Sequence, residues 1–431
     1  HMHGPNFPEL VVELVNEGKL SEKRVNYACS KILEAKFKLG LFENRYVNEN
    51  NILDKIFNES HKNTSLKLAR EGIVLLKNNN ILPLQNPQNI NNKILVTGPN
   101  ANNQSILGDW HNPQPAKNVF TVYEGIEKIG SEIGYTVDYH EFNDNIKQIS
   151  NNDIDKTIEI ANQYDIVFVV VGDNSMRYKW KQKTAGENTA RTELNLAGKQ
   201  LDLVMKLKDT GKNIIVLYVN GRPISEPWIS ENINAIIELW EPGSLGGLAT
   251  AEIIFGKINP SGKLPLTIAS SVGQLKMFYN HKHSMYYRDY AIHNNRPLYY
   301  FGFGLSYTKF EISEPKLMSL TFTKGKLRVS VDVKNVGEIS GDEIVQLYIS
   351  DKYSSVTRPV KELKGFKRVS LNPGELKEII FELDKSAFAY YDAEMNYIVE
   401  AGQFDILVGN SSREEDLKKI DFNIEKTIYI T

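Results

Sequence analysis

Cysteine, long apolar runs and net charge are all scarce in this chain, and each scarcity excludes a class of protein. With one cysteine, Cys29, in 431 residues, the chain cannot form an internal disulfide or a cysteine-based metal cluster. A formal net charge of -2 lacks the basic excess that nucleic acids and anionic membranes attract. No apolar run approaches the length of a membrane span. The composition therefore predicts no nucleic-acid partner and no membrane partner.

The histidines and glycines show no pattern typical of a metal or cofactor site. The eight histidines lack the spacing of metal ligands. Gly243, Gly246 and Gly247 do not fit a nucleotide-binding fingerprint, and close packing of a helix on a strand explains them better. We therefore predict no metal and no cofactor. Cys29 falls on an apolar helical face and is interpreted as a packing residue.

The stretch 165–200 is where a functional site is predicted. Residues 166–171 form an unbroken apolar and mostly β-branched run, which is typical of a parallel strand covered on both faces. A long polar loop follows Gly172 and Asp173. Open α/β sheets bind ligands on loops at the carboxyl ends of their strands, so this loop is predicted to carry a site.

Hydrophobic periodicity predicts helices at the start of the chain and a mostly parallel sheet after them. Apolar residues recur at helical spacing from Phe7 to Gly40, with Ser21 at the start of a second helix. Further on, apolar strands alternate with helices, which favours a parallel sheet covered on both faces. The predicted strands are 93–97, 166–171, 214–219 and 235–240, and the predicted helices are 65–77, 195–208 and 248–255.

The end of the chain has the period of two that is typical of a β-sandwich. From Lys326 onward apolar and polar residues alternate, and turn signals such as 372–374 separate short strands. The predicted fold class is therefore α/β plus β. The expected segments are helices in 1–45, a linker in 46–64, an α/β sandwich domain in 65–270, an aromatic-rich linker in 271–315 and a β-sandwich in 316–431.

Aromatic side chains crowd residues 270–312, and two interpretations stay open. Each ring buries a large area with little loss of entropy, so packing between domains is the first interpretation. The second is a platform that stacks on sugars. The rings are Tyr279, Tyr286, Tyr287, Tyr290, Tyr299, Tyr300, Phe301, Phe303 and Tyr307.

Short motifs spread along the chain carry a resemblance to a known family. In the α/β region they are LAREGIVLLK (68–77) with LPL (82–84), GPNA (98–101), GE (186–187) with Arg191, NGRP (220–223), WEPG (240–243) and NPSGKLP (259–265). These resemble the second domain of glycoside hydrolase family 3, while YFGFGLSY (300–307) and RPVKELKGF (358–366) resemble its fibronectin type III-like domain. The opening helices, with KFKLGLF (36–42), resemble the last helices of the family's catalytic (β/α)8 barrel. We expect the rest of that barrel to be absent from this chain.

The resemblance implies a retaining exo-β-glycosidase of the β-glucosidase or β-xylosidase type, acting on terminal non-reducing sugars. Retention needs two carboxyl groups about 5 Å apart, one as nucleophile and one as acid and then base. The resemblance implies that the nucleophile is an Asp of the barrel. It implies that the acid/base is Glu187, four positions before Arg191.

The implied partners are a β-linked oligosaccharide or aryl glycoside and a barrel from the full-length protein or another chain. The chain alone is then expected to be inactive. The alternative, from a different class, is a non-catalytic scaffold or a carbohydrate-binding fragment.

Four other residues are predicted to bind substrate: Trp110, Arg177, Trp180 and Arg191. Members of the family clamp substrate between aromatic rings of two domains, so the resemblance implies that Trp110 stacks on a sugar; packing between domains is the alternative. Arg177 and Trp180 line the leaving-group side or face solvent. Asp109 is interpreted as a carboxylate that shapes a turn.

Glu187 also has a plainer interpretation as a solvated loop residue held by Arg191. The fallback acids are Glu193, near a helix start that favours carboxylates, and Asp173 at the strand end. The lysines at 179, 181 and 183 are expected to point to solvent or to substrate hydroxyls. The sequence departs from the family pattern at Ala190, where Asp often precedes the Arg, and at Ala197, where Pro is common. The fold is expected to survive both changes.

Overall fold

The computed structural model describes residues 4–85, 87, 92–284, 289–291, 293–319, 321–322 and 325–430. The chain divides between Lys62 and Asn63 into two compact units, which are described separately. No helix in this described part is both long and apolar enough to cross a lipid bilayer.

The first unit begins with two helices, which confirms the helical spacing read from the sequence. Helix α1 spans Phe7–Asn16 and α2 spans Glu22–Lys38; the short α3 spans Ile52–Lys55. The side chain of Ser21 accepts the backbone N–H of Arg24, which confirms its predicted place at the start of α2. Cys29 is exposed, so its predicted packing role is wrong for the described unit, where neither α1 nor α2 has a buried side chain.

The predicted helix over 65–77 is wrong for its last five residues, 73–77. Helix α4 spans Glu59–Gly72, and strand β1 follows at Val74–Asn78. The stretch predicted as a linker therefore contains the start of α4, as well as α3 and a 3-10 turn at Glu49–Asn51. Four apolar residues at 73–76 suit a strand as well as a buried helix face, and periodicity alone cannot separate the two over so short a run.

Six strands of the described chain form one sheet in the order β1-β6-β5-β4-β2-β3. Their bounds are β1 as above, β2 Lys93–Thr97, β3 Thr136–Tyr139, β4 Ile166–Gly172, β5 Asn213–Val219 and β6 Ala235–Trp240. Only β1 runs antiparallel to its neighbour among these pairings, so the predicted mostly parallel sheet is confirmed.

Helices cover both faces of this sheet. They are α5 Val122–Glu132, α6 Asn151–Ala161, α7 Gln200–Asp209, α8 Pro227–Asn232 and α9 Gly246–Ile254. Every side chain of β4 is buried, and they alternate between two apolar clusters: Phe168 and Val170 face one, Val169 and Val171 the other. Apolar side chains therefore cover both faces of β4, as the unbroken apolar run in the sequence predicted.

Gly247 packs its helix closely against another helix, whereas the sequence analysis predicted packing of a helix on a strand; a Cβ atom on Gly246 would meet Pro242 of the preceding turn. A Cβ atom on Gly247 would overlap the carbonyl oxygen of Thr121, and one on Gly125 would overlap the carbonyl oxygen of Gly247. Helices α5 and α9 therefore touch backbone to backbone. Close packing, not phosphate binding, accounts for these glycines.

A β-sandwich follows the α/β domain. Its strands are β7 Phe310–Ile312, β8 Lys316–Leu317, β9 Lys326–Asn335, β10 Gly341–Asp351, β11 Glu362–Leu371, β12 Leu376–Asp384, β13 Tyr390–Tyr391, β14 Tyr397–Val399, β15 Gly402–Gly409, β16 Leu417–Ile424 and β17 Ile428–Tyr429. The two main sheets have the orders β11-β10-β15-β16 and β12-β9-β7, and all their pairings are antiparallel. Because β7 pairs with β9, the first strand of the sandwich lies before residue 316.

Aromatic and charged side chains join the sandwich to the α/β domain. The ring of Tyr279 stacks on Phe301 with centroids 4.2 Å apart, and both rings meet Tyr348 of β10 edge-on. Lys263 forms a buried ion pair with Glu343 at 2.8 Å. These contacts favour interdomain packing as the role of the aromatic segment, while Tyr286 and Tyr287 lie outside the described residues.

Candidate active site

Two loops meet at the carboxyl edge of the parallel sheet. Strands β2 and β4 are hydrogen-bonded neighbours that run in the same direction, so the loops that follow them start side by side. The loop after β2 carries Asp109 and Trp110, and the loop after β4 carries Arg177, Trp180 and Glu187. The second loop contains a 3-10 segment at Arg177–Gln182, a structure that the sequence did not predict.

Glu187 presents its carboxyl group at the surface of this edge. Its side chain is 43% exposed, and its Oε2 atom is paired with the guanidinium of Arg177. The plainer sequence interpretation, in which Arg191 holds this carboxylate, is wrong about the partner. The arginine that neutralises Glu187 comes from the 3-10 segment ten residues earlier.

The main chain of Glu187 is bound by the other loop. Its backbone N–H donates to Oδ2 of Asp109 at 2.7 Å, and its carbonyl accepts from Nζ of Lys183 at 3.0 Å. Lys183 also donates to Oδ2 of Asp109 at 3.1 Å. The sequence analysis interpreted Asp109 as a carboxylate that shapes its own turn, but the structure gives it a larger role. It connects two loops that lie far apart in the chain.

Lys183 is buried, which contradicts the expectation that it points to solvent or substrate. Only 1% of its side chain is exposed. Its ammonium group can be buried because Asp109 and the carbonyl of Glu187 replace the water molecules that it loses. The neighbouring lysines differ: Lys179 pairs with Asp144, and Lys181 is exposed.

Gly186 makes the approach of the two loops possible. Its φ of +92° lies in the region that side chains disfavour, and a Cβ atom there would stand 2.6 Å from Oδ2 of Asp109. Glycine alone allows the carboxylate to reach the next backbone N–H. The glycine of the motif at 186–187 thus has a geometric cause.

Two tryptophans flank the carboxyl group of Glu187 through Arg177. The guanidinium carbon of Arg177 lies 3.5 Å from the ring centroid of Trp110 and 6.0 Å from that of Trp180. Trp110 is 71% exposed although one face is covered by this cation, so a large apolar surface stays open beside Glu187. The structure therefore brings together Trp110, Arg177, Trp180 and Glu187.

Arg191, the remaining predicted substrate-binding residue, occupies a different place. Its guanidinium contacts Oδ1 of Asp173 at 3.4 Å and the carbonyl of Asn195 at 2.9 Å. Asp173 is buried and also forms an ion pair with Arg222 at 2.8 Å, so this fallback acid is neutralised by two arginines. Burial and the nearby Arg222 lower the pKa of Arg191. The other fallback acid, Glu193, is exposed.

A further carboxyl group, which the sequence interpretation did not weigh, lies under the site. Glu241 follows β6 directly and accepts a hydrogen bond from the hydroxyl of Ser175 at 2.7 Å. Burial raises its pKa, and the carboxylates of Asp109 and Asp173 act in the same direction. Its position was the available signal, because β6 ends at the same edge of the sheet as β4. In the described residues, no three His, Cys, Asp or Glu side chains are grouped to hold a metal ion.

Comparison with known proteins follows the division into domains. The profile described as Glycosyl hydrolase family 3 C-terminal domain matches residues 73–307, which is more than half of the chain. The chain belongs to glycosyl hydrolase family 3. A second profile, the Fibronectin type III-like domain, matches residues 343–412 within the sandwich.

Relatives in family 3 match nearly the whole chain. A β-xylosidase of Formosa agariphila is 36% identical over 416 residues, covering 94% of this chain and 56% of the relative. A periplasmic β-glucosidase of Salmonella typhimurium is 34% identical over 435 residues, covering 93% of this chain and 55% of the relative. The chain thus spans little more than half the length of the curated relatives it matches.

Solved structures of the family share the fold. The β-glucosidase of Listeria innocua in complex with isofagomine is 30% identical and superimposes with a TM-score of 0.86, over 96% of this chain and 57% of that one. These structures and the family match support the α/β sandwich domain followed by a fibronectin type III-like sandwich.

Proposed function

We propose that this chain is the C-terminal portion of a retaining exo-β-glycosidase and supplies its acid/base, Glu187. The observation that carries the proposal is the position of Glu187: an accessible carboxyl group beside the exposed ring of Trp110, at the carboxyl edge of the sheet. A sugar ring stacked on Trp110 would have its glycosidic oxygen within reach of a carboxyl group. The relatives named β-xylosidase and β-glucosidase support β-linked sugars as substrates.

In the proposed reaction, an Asp of a barrel attacks the anomeric carbon while Glu187 gives its proton to the departing oxygen. Glu187 then removes a proton from water, whose oxygen attacks the same carbon as the bond to the Asp breaks, and the sugar leaves with retained configuration. Arg177 is paired with the carboxyl group of Glu187, and the first step requires that this contact give way to a protonated carboxyl group.

The first unit is proposed to be the end of that barrel. Helices α1 and α2 carry apolar side chains that are exposed in this structure, and amphipathic helices bury such faces against a partner. The exposed residues are Phe7, Leu10, Val12, Leu14, Tyr27, Ile32, Leu33 and Phe37. Covering by a barrel accounts for them, and the length of the relatives leaves room for one.

Replacing Glu187 tests the role of this carboxyl group in an enzyme that joins the chain to its barrel. Glu187→Ala is expected to lower kcat on disaccharides by more than about 100-fold, because a poor leaving group needs a proton. Azide should restore turnover of activated aryl β-glycosides. Glu193→Ala, in the same loop, is the matched control and should behave as the unaltered enzyme. Unchanged turnover of disaccharides by Glu187→Ala would refute the assignment.

A further inference from the structure

The main chain of Glu187 is held at both of its polar atoms, although its side chain is exposed and pairs with Arg177. Asp109 accepts the N–H, Lys183 donates to the carbonyl, and the two side chains bond to each other. The three contacts close a ring across two loops. The backbone of Glu187 is therefore more constrained than its exposed position suggests.

Charge burial couples Lys183 to Asp109 within this ring. Lys183 is almost fully buried and pairs with Asp109, whose side chain is 13% exposed, so the buried ammonium group depends on this carboxylate for compensation. Asp109 has a second cation beside it, because Nε of Arg177 lies 3.5 Å from its Oδ1 atom. The aromatic side chain of Trp180 covers the ammonium group of Lys183, and its ring centroid lies 4.7 Å from Nζ. Burial by itself would raise the pKa of Asp109, but hydrogen bonds from the N–H groups of Glu187 and Trp110 and from Lys183 lower it.

Asp109 connects the exposed aromatic ring to the carboxyl group as well. Its Oδ1 atom accepts the N–H of Trp110 at 2.8 Å, while Oδ2 accepts the N–H of Glu187. Trp110 has a φ of +62°, a strained conformation for a residue with a side chain, which needs support from its surroundings. One carboxylate therefore holds the backbone N–H groups of both Trp110 and Glu187.

We propose that Asp109 and Lys183 are positioning residues that set the distance between the ring of Trp110 and the carboxyl group of Glu187. The proposal rests on the proposed function of Glu187 and adds two residues to it. Neither side chain needs to touch substrate, because both act through the main chain of Glu187. A displacement of about 1 Å at a reacting group can cost about 100-fold in rate, so such support has a kinetic effect.

Hydrogen exchange at the amide of Glu187 tests the ring in the 431-residue chain, without reference to catalysis. Lys183→Met and the isosteric Asp109→Asn, which removes the charge but keeps the shape, should each speed exchange at this amide about tenfold. Lys179→Met is the matched control, because Lys179 lies in the same loop as Lys183 but pairs with Asp144 and not with Asp109. Exchange at Glu187 that stays within twofold in the folded Asp109→Asn chain would overturn the proposal.

Kinetics in the barrel-joined enzyme then separates positioning from simple loss of folded protein. Both variants should lower kcat about 10- to 100-fold on disaccharides with KM within about threefold, and lower it much less on activated aryl glycosides. Equal losses on both substrates would overturn the positioning role. Full activity of Glu187→Ala would instead refute the proposed function, while the exchange result would still decide whether the ring exists.

Discussion

Two glutamates of the α/β domain show how the surroundings of one residue type decide its chemistry. Glu187 is exposed, and its carboxyl group is paired with Arg177 at the surface of the candidate site. Glu238, in the middle of β6, is buried, and its carboxylate oxygens accept from the N–H of Trp240 and the amide of Asn220. Burial, with a smaller effect from Asp173, raises the pKa of Glu238 to about 8.

The raised pKa of Glu238 predicts a loss of stability with rising pH. Between pH 4.5 and pH 8 the folded chain keeps a proton that the unfolded chain releases, so the free energy of unfolding falls across this window. Glu238→Gln removes the group that binds this proton. The fall in the free energy of unfolding between pH 5 and pH 8 should therefore be smaller in this variant, by on the order of 3 kcal/mol. Urea unfolding at several pH values measures it. An unchanged slope in Glu238→Gln would contradict the prediction.

At the scale of elements, close contacts determine how the helices and strands of the α/β domain pack. Strand β4 is buried on both faces, and α5 and α9 approach through glycines that leave no space for a methyl group. Capping supports the same helices: Thr121 and Glu124 form a capping box at the start of α5. The loops of the candidate site therefore extend from elements whose relative positions have little freedom.

Gly247→Ala tests this helix contact. The added methyl group would overlap the backbone carbonyls of Thr121 and Phe120, which cannot move without displacing a helix, so a loss of about 1–3 kcal/mol is expected. Thermal and urea unfolding measure the change. Gly72→Ala, at the end of α4 where a Cβ atom would have open space, is the control and should be neutral or slightly stabilising. Equal stability of the two variants would show that α5 and α9 can separate at little cost.

At the scale of the whole molecule, the candidate site is an open surface of the α/β domain. Glu187 and Trp110 are open to solvent, and the second carboxyl group that retention requires is proposed to come from a barrel. The sandwich is attached to the α/β domain by Lys263 with Glu343 and by stacked aromatic rings. The α/β domain and the sandwich are thus joined to each other, while the catalytic pocket is proposed to be completed by the barrel.

The isolated 431-residue chain is therefore predicted to have no glycosidase activity. Incubation with aryl β-glucoside and aryl β-xyloside, which need little proton donation, should release no aryl alcohol above background because the nucleophile is proposed to lie on the barrel. The barrel-joined enzyme is the positive control. Turnover by the isolated chain that is lost on changing one of its own Asp or Glu residues would mean that both carboxyl groups lie within it.

Local patterns in the sequence were sufficient for much of the fold. The apolar run of β4, the alternation in β9 and β10 and the Ser21 cap of α2 were all predicted, because each depends on residues adjacent in the chain. Helices α5 and α6 and strand β3 were not predicted, although α5 carries a readable capping box. Residues 73–77 were assigned to a helix because their pairing partner, β6, lies about 160 residues away.

The sequence by itself determined that Glu187 stands on a loop after a buried parallel strand, and the family resemblance singled it out. Tertiary structure alone decided what surrounds it. Asp109 lies 78 residues before Glu187, and the two meet only because β2 lies beside β4 in the sheet. Strand order depends on the burial of both faces of the sheet, a property of the whole domain that no short stretch of sequence contains. The same dependence explains why Lys183, charged and therefore expected at the surface, is buried beside Asp109.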